Sequence, residues 1–148
     1  MNREPRVALI SGCSRSEGIG YEVCKQLAQK GITVFLTARD ASKALALADT
    51  LKDQGLDVHG HELDISSSES VQAIVNLIDE RYGRLDILVN NATGATRSRA
   101  PVSATDLEAA RQVVEVTLFG TWRMIQASLP LLRKSEAARI VNVSSSAG

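Results

Sequence analysis

Directly after the apolar run Val7–Ser11 the chain reads Ser11-Gly12-Cys13-Ser14-Arg15-Ser16-Glu17-Gly18-Ile19-Gly20. Glycines in such a run let the backbone turn sharply and come close to a pyrophosphate. A helix that starts inside it offers unpaired N–H groups and a favourable dipole to phosphates. A purely structural tight turn uses glycine too. Gly12, Ser14, Arg15, Gly18, Ile19 and Gly20 are therefore the candidate phosphate-loop residues. Arg39, just past the β-branched run Thr33–Thr37, carries a rigid fork of donors suited to a phosphate, or is a solvated surface arginine. Asp40 beside it either caps the next helix or competes for a ribose. Asp64-Ile65 follows a third strand candidate, Val58–Leu63, the least apolar of the set; Asn90-Asn91-Ala92-Thr93-Gly94 follows a fourth and Ser144-Ser145-Ser146 ends a fifth. His59 and His61 alternate around Gly60. With no third ligand at a suitable spacing they read as polar strand-end residues, not as a metal site.

The bulk numbers narrow the classes. At 148 residues, 44% hydrophobic and 23% charged, the chain suits one ordinary globular domain, 1–148. Lys plus Arg and Asp plus Glu are 17 each, so the basic excess expected of a nucleic-acid or membrane-surface protein is missing. The N-terminal apolar stretch is too short for a signal sequence or a membrane span, and the two cysteines lack metal-ligand spacing. A cytoplasmic protein with reduced thiols is expected.

The elements that must position these residues alternate. Strands are predicted at Val7–Ser11, Thr33–Thr37, Val58–Leu63, Leu85–Val89 and Arg139–Ser144. Between them, Ile19, Val23 and Leu27 fall on one helical face with Gly31 as the stop. Ala44, Leu45, Ala48 and Leu51 follow Asp40 at helical intervals. Ser66 with Glu69 forms a capping box for a helix carrying Val71, Ile74, Val75, Ile78 and Tyr82. A polar loop, Asn91–Pro101, precedes a long helix from about Ser103 to Arg133. Apolar strands linked by helices imply a parallel sheet covered on both faces, and right-handed crossovers make it doubly wound. The expected fold is α/β and Rossmann-like, with about five strands and a nucleotide at their carboxyl ends.

In this order the landmarks resemble the short-chain dehydrogenase/reductase family over essentially the whole chain. Its Thr-Gly-xxx-Gly-x-Gly loop is similar to Ser11-Gly12 through Gly18-Ile19-Gly20, with serine for threonine and five residues instead of three between the first glycines. Ala38 stands where an acid would bind a free ribose hydroxyl. The resemblance therefore implies NADP(H), its 2′-phosphate held by Arg39 and Arg15. It also implies adenine contacts for Asp64 and Ile65, Asp64 being a helix cap on the other reading. Asn91, Ala92 and Thr93 would run beside the ribose, Thr93 standing where the family has glycine and Gly94 coming one residue late. Ser145, three residues before Gly148, would donate a hydrogen bond to the substrate oxygen.

The activity so implied is hydride transfer between NADP(H) and a small carbonyl or alcohol, by a homo-oligomer of the kind that pairs through the long helix, where Trp122, Met124 and Ile125 read as core or subunit-contact residues. The family's proton donor is the tyrosine of a Tyr-x-x-x-Lys pair on the helix after the fifth strand, so the chain is expected to be a leading part of a longer enzyme. The literal match Tyr21-Glu22-Val23-Cys24-Lys25 lies on the first helix and reads as coincidence. Thr117 takes the place of an asparagine that serves a water relay in many members. A rival reading is a nucleotide-binding module without turnover. A methyltransferase is poorer because no acid ends the second strand. Arg97 and Arg99 hint at a polar or anionic substrate, and surface arginines explain them equally well.

Overall fold

The computed structural model describes residues 4–94 and 100–145. Strands β1 (Val7–Ile10), β2 (Thr33–Ala38), β3 (Val58–Glu62), β4 (Ile87–Asn90) and β5 (Arg139–Asn142) form one sheet in the order β3-β2-β1-β4-β5. Every neighbouring pair is parallel. The chain starts at the centre and winds to one edge through α1 (Ile19–Gln29) and α2 (Ala41–Lys52). It then crosses back through α3 (Ser68–Tyr82) to β4, and reaches β5 through α4 (Leu107–Val114) and α5 (Thr121–Leu132). This is the doubly wound arrangement that the alternating pattern predicts.

Alternation along the strands fills two cores. Ala8, Ile10, Val34, Leu36 and Val89 pack with α1 and α2 residues such as Cys24 and Leu51. Val7, Leu9, Phe35 and Leu88 pack on the other face with Ile74, Ile78, Met124 and Leu131. β1 and β2 are buried along their whole length, as a sheet covered on both faces requires. β5 is exposed throughout. Among the described residues no helix is long and apolar enough to cross a membrane.

Several boundaries differ from the sequence reading for physical reasons. The long helix is not uniform from Ser103. Val102–Ala104 is a 3-10 turn, α4 begins at Leu107 with Asp106 as its cap, and Glu115–Gly120 is a π-helical segment leading into α5. α3 is capped by Ser67 rather than Ser66, because the Ser66 hydroxyl is taken up by Asp64. Glu69 instead accepts from the Ser67 hydroxyl at 3.0 Å. His59 and His61 stack on Phe35, each at 5.5 Å between ring centres, and His59 pairs with Asp57 at 2.9 Å. Burial, then the nearby charges of Arg81, His59 and Lys52, hold His61 below its usual value.

β4 starts at Ile87, not Leu85, because Asp86 has another task. One carboxylate oxygen accepts from the Val7 amide at 2.8 Å and from Arg84 Nε at 3.2 Å; the other accepts from the Ser135 hydroxyl at 2.6 Å. Arg84 also reaches Glu4 and the Glu4 and Pro5 carbonyls, so the amino ends of β1 and β4 are clamped to the N-terminal segment. Burial alone pushes the Asp86 carboxyl up, but these hydrogen bonds outweigh it and hold it below its usual value. A depressed acid contributes stability above its unfolded pKa, about 3.9, and loses it as pH falls through the folded value. Asp86→Ala should cost about 3 kcal/mol in urea unfolding at pH 7. The gap between variant and wild type should narrow below about pH 4. A gap that does not change with pH would rule out this role for the carboxylate.

Candidate functional site

β1 and β4 are neighbours whose following helices lie on opposite faces, and the place where their carboxyl ends part is where an open α/β sheet forms its ligand crevice. Two side chains close its floor. The buried Ser11 hydroxyl accepts from the amides of Asn91 and Ala92, both at 3.1 Å. Asn91 Nδ2 donates back to the carbonyls of Ser11 at 3.0 Å and Gly12 at 3.1 Å. Alongside, Asn90 Nδ2 donates to Asn142 Oδ1 at 2.8 Å and ties β5 to the same end of the sheet.

The glycine loop rests on this floor. Gly12 has φ +77°, and a Cβ there would lie 2.6 Å from Ala92 Cα. A Cβ on Gly20 would lie 2.6 Å from Asn91 Nδ2 and 2.9 Å from Cys13 Sγ, so its bareness lets α1 close onto the floor. Cys13 is buried within 3.7 Å of Cys24 Sγ, and burial pushes the Cys24 thiol up. The Cys13 thiol is thus a packing group here rather than one turned to the crevice.

The open side of the loop differs. Gly18 caps α1 with no side-chain hydrogen bond, whereas Asp40, Ser67 and Asp106 cap α2, α3 and α4 with theirs. Ser14 and Arg15 are exposed, and Ile19 is 63% exposed. Arg39 is exposed as well, and among the described residues neither arginine's guanidinium has a hydrogen bond or ion pair. Asp40 is committed to its cap: it accepts from the Ser42 hydroxyl and from the Ser42 and Lys43 amides. Ala38 is buried at 2% exposure, so no acid faces Arg39 from the end of β2. Uncapped amides with two unpaired cations make a donor set for a phosphorylated ligand.

The two flanking loops line the groove. Asp64 Oδ1 accepts from the Ser66 amide at 2.9 Å and the Ser66 hydroxyl at 2.6 Å, while Oδ2 has no partner among the described residues. The Ser66 hydroxyl bond, with help from Arg39 and Arg123, holds Asp64 below the usual carboxylate range. Ile65 is 3% exposed and points at the long helix, its Cγ1 lying 2.7 Å from where a Cβ on Gly120 would be. A ring beside this loop would therefore meet its backbone more than the Ile65 side chain. Asn91 and Ala92 are half-buried and Thr93 is exposed. Thr117 Oγ1 accepts from the Gly94 amide at 3.1 Å and lies 3.4 Å from Thr93 Oγ1. Arg123, which no sequence signal singles out, donates to the Ile65 carbonyl at 2.7 Å.

Ser145 is exposed just past β5, beyond the Asn90–Asn142 bond. The rest of its motif, 146–148, and Arg97 and Arg99 lie outside the described residues. Tyr21 is buried in the core that α1 forms with β1, β2 and β4, and not at the end of β5 where Ser145 lies. No group of three or more His, Cys, Asp or Glu side chains among the described residues could hold a metal ion.

Comparison with known proteins places this architecture. A profile of the short chain dehydrogenase family matches residues 6–148. (+)-Neomenthol dehydrogenase of Capsicum annuum is 36% identical over 180 residues, a match that covers 97% of this chain and 57% of that protein. The solved menthone neomenthol reductase of Mentha piperita superposes with a TM-score of 0.85 at 32% identity, covering 97% of this chain and 62% of that one. A metagenomic short-chain oxidoreductase in complex with NADP also gives 0.85, at 29% identity, with 95% and 62% covered. The chain belongs to the short-chain dehydrogenase/reductase family of oxidoreductases. It spans a little over half the length of the curated relative it matches.

Gly12 and Gly31 share φ +77°, but a Cβ on Gly31 meets nothing within 4 Å. Gly31→Ala should therefore cost only the left-handed penalty, about 1 kcal/mol. Gly12→Ala should cost about 2–4 kcal/mol, since the loop must also lift off Ala92. Equal losses for the two variants in chemical denaturation would mean that the loop does not press on Ala92.

Proposed function

We propose that this chain binds NADP(H) across the carboxyl ends of its strands and serves an oxidoreductase acting on a small carbonyl or alcohol. The observation that carries the reading is the pair of guanidinium groups, Arg15 and Arg39, without hydrogen bonds or ion pairs among the described residues, near the uncapped start of α1 and the buried Ala38 that ends β2. A 2′-phosphate supplies the bidentate hydrogen-bonded anion that Arg39 lacks among the described residues. The pyrophosphate takes the α1 amides, with Gly12, Ser14, Gly18, Ile19 and Gly20 forming the loop around it. The free Oδ2 of Asp64 accepts from the adenine amino group, and the Ile65 backbone borders the ring. Asn91, Ala92 and Thr93 border the nicotinamide-side ribose.

When bound, the cofactor supplies or accepts the hydride. Ser145 donates a hydrogen bond to the substrate oxygen, where negative charge grows during reduction. The proton-donating tyrosine and its lysine belong to the helix that follows β5 in the whole protein. A cytoplasmic homo-oligomer completes the reading: Met124 and Ile125 belong to the core, but Leu118, Phe119 and Trp122 are large apolar side chains about half exposed along the long helix, a surface suited to a subunit contact.

Titrating the chain with NADPH and NADH, following reduced-nicotinamide fluorescence, tests the cofactor. NADPH should bind about tenfold or more tightly, the worth of a charge-assisted contact to a phosphate. Arg39→Ala should bring the two within about threefold by weakening NADPH alone. Equal wild-type affinities would sink the assignment to NADP(H).

A further inference from the structure

The two positions at which the chain departs from the family pattern near the ribose, Thr93 and Thr117, touch each other. Thr117 Oγ1 also takes the Gly94 amide, and Gly94 fits because it lacks a side chain: a Cβ there would lie 2.8 Å from Val113 Cα. Three residues past Thr117, Gly120 receives the Ile65 side chain. Three further on, Arg123 spends its whole guanidinium on one corner. Nη1 donates to the Ile65 carbonyl at 2.7 Å, Nε to the Ser68 hydroxyl at 3.1 Å and Nη2 to Glu115 at 2.9 Å. Glu115 and Thr117 both lie in the π-helical segment, a form that concentrates at functional sites.

We infer that the helix running from α4 through the π segment into α5 is a spacer that sets the two walls of the nucleotide groove, with Thr117 and Arg123 as its positioning residues. The inference rests on the nucleotide reading above. β3 and β4 stand three strand positions apart, roughly 14 Å, with the ends of β2 and β1 between them. The six-residue step from Thr117 to Arg123 covers about 9 Å along a helix, and the long arginine side chain covers the remainder. Thr117 holds the wall that carries Thr93, and Arg123 holds the wall that carries Asp64 and Ile65. Each therefore governs a different half of a dinucleotide.

Two probes separate the halves: adenosine 2′,5′-bisphosphate, which lacks the nicotinamide half, and NADPH. Calorimetric titration of the chain should show Arg123→Ala weakening both by a common factor of about ten, so that their affinity ratio stays fixed. Thr117→Val should weaken NADPH more than the bisphosphate, changing the ratio about threefold, and Thr117→Ser should restore it. If Arg123→Ala does not fold, Arg123→Lys keeps the charge but cannot serve Ile65, Ser68 and Glu115 together, and the same fixed ratio is expected. A ratio moved by the Arg123 variants, or left unmoved by Thr117→Val, overturns the spacer while the nucleotide reading stands. Failure of the unaltered chain to bind either probe overturns both.

Discussion

The Ser11 hydroxyl sits where the sheet is hardest to hold together. At the β1–β4 junction the two chains leave for opposite faces, so backbone ladders end there and buried polar groups must find other partners. One hydroxyl takes two amides from the β4 side, and Asn91 gives two hydrogen bonds back to the β1 side. Everything above that floor inherits its position from it. Gly12 lies against Ala92, Gly20 lets α1 close on Asn91, and the Asn90–Asn142 bond carries the constraint across to β5. A neutral hydrogen bond is worth only about 1 kcal/mol net, but an unmet buried group costs about 1–3. The cluster therefore matters less for what it adds than for what its loss would leave unsatisfied.

The two ends of the sheet treat charge in opposite ways. At the amino ends, Arg84 is paired with Glu4 and Asp86, and Asp86 is saturated by an amide, a hydroxyl and a guanidinium. At the carboxyl ends, Arg15 and Arg39 have no such partners among the described residues, and the acids around them hold hydrogen bonds of their own: Glu17 from Ser16, Asp40 at its cap, Asp64 from Ser66 on one oxygen. Closure at one end and unspent donors at the other give the sheet a polarity that packing alone does not require.

Much of this was legible in the sequence, and the failures have particular causes. β1, β2 and β4 were readable because Leu9, Val34, Leu36 and Leu88 sit in apolar runs, the mark of strands buried on both faces, whereas β3 reads Val-His-Gly-His-Glu and was the faintest of the five. Asp40 was ambiguous by type, and only the direction of its hydrogen bonds separates cap from ribose ligand. The cap of α3 was misplaced by one residue because three serines follow Asp64 and nothing local says which of them an Asx turn will consume. The π segment escaped because its residues satisfy ordinary helical spacing. Arg123 escaped for a different reason: two of its three partners, Ile65 and Ser68, are more than fifty positions away in the chain. Motif order located the crevice. What holds its walls is tertiary, and no local pattern carries it.

The open start of α1 shows how little stability such a site demands. Glycine at a helix N-cap costs only a few tenths of a kcal/mol relative to serine or aspartate, since water can solvate the amides. Two exposed arginines without ion pairs forgo about 0–1 kcal/mol each. The fold therefore gives up on the order of 1–2 kcal/mol to keep these donors uncommitted. A ligand at a hundred times its dissociation constant returns about 2.7 kcal/mol through mass action. The balance favours an open loop only if an anionic ligand is commonly present. That reasoning separates Gly18 from Gly31: both stand at an end of α1, but only Gly18 opens its N-terminus, where unpaired amides favour an anion.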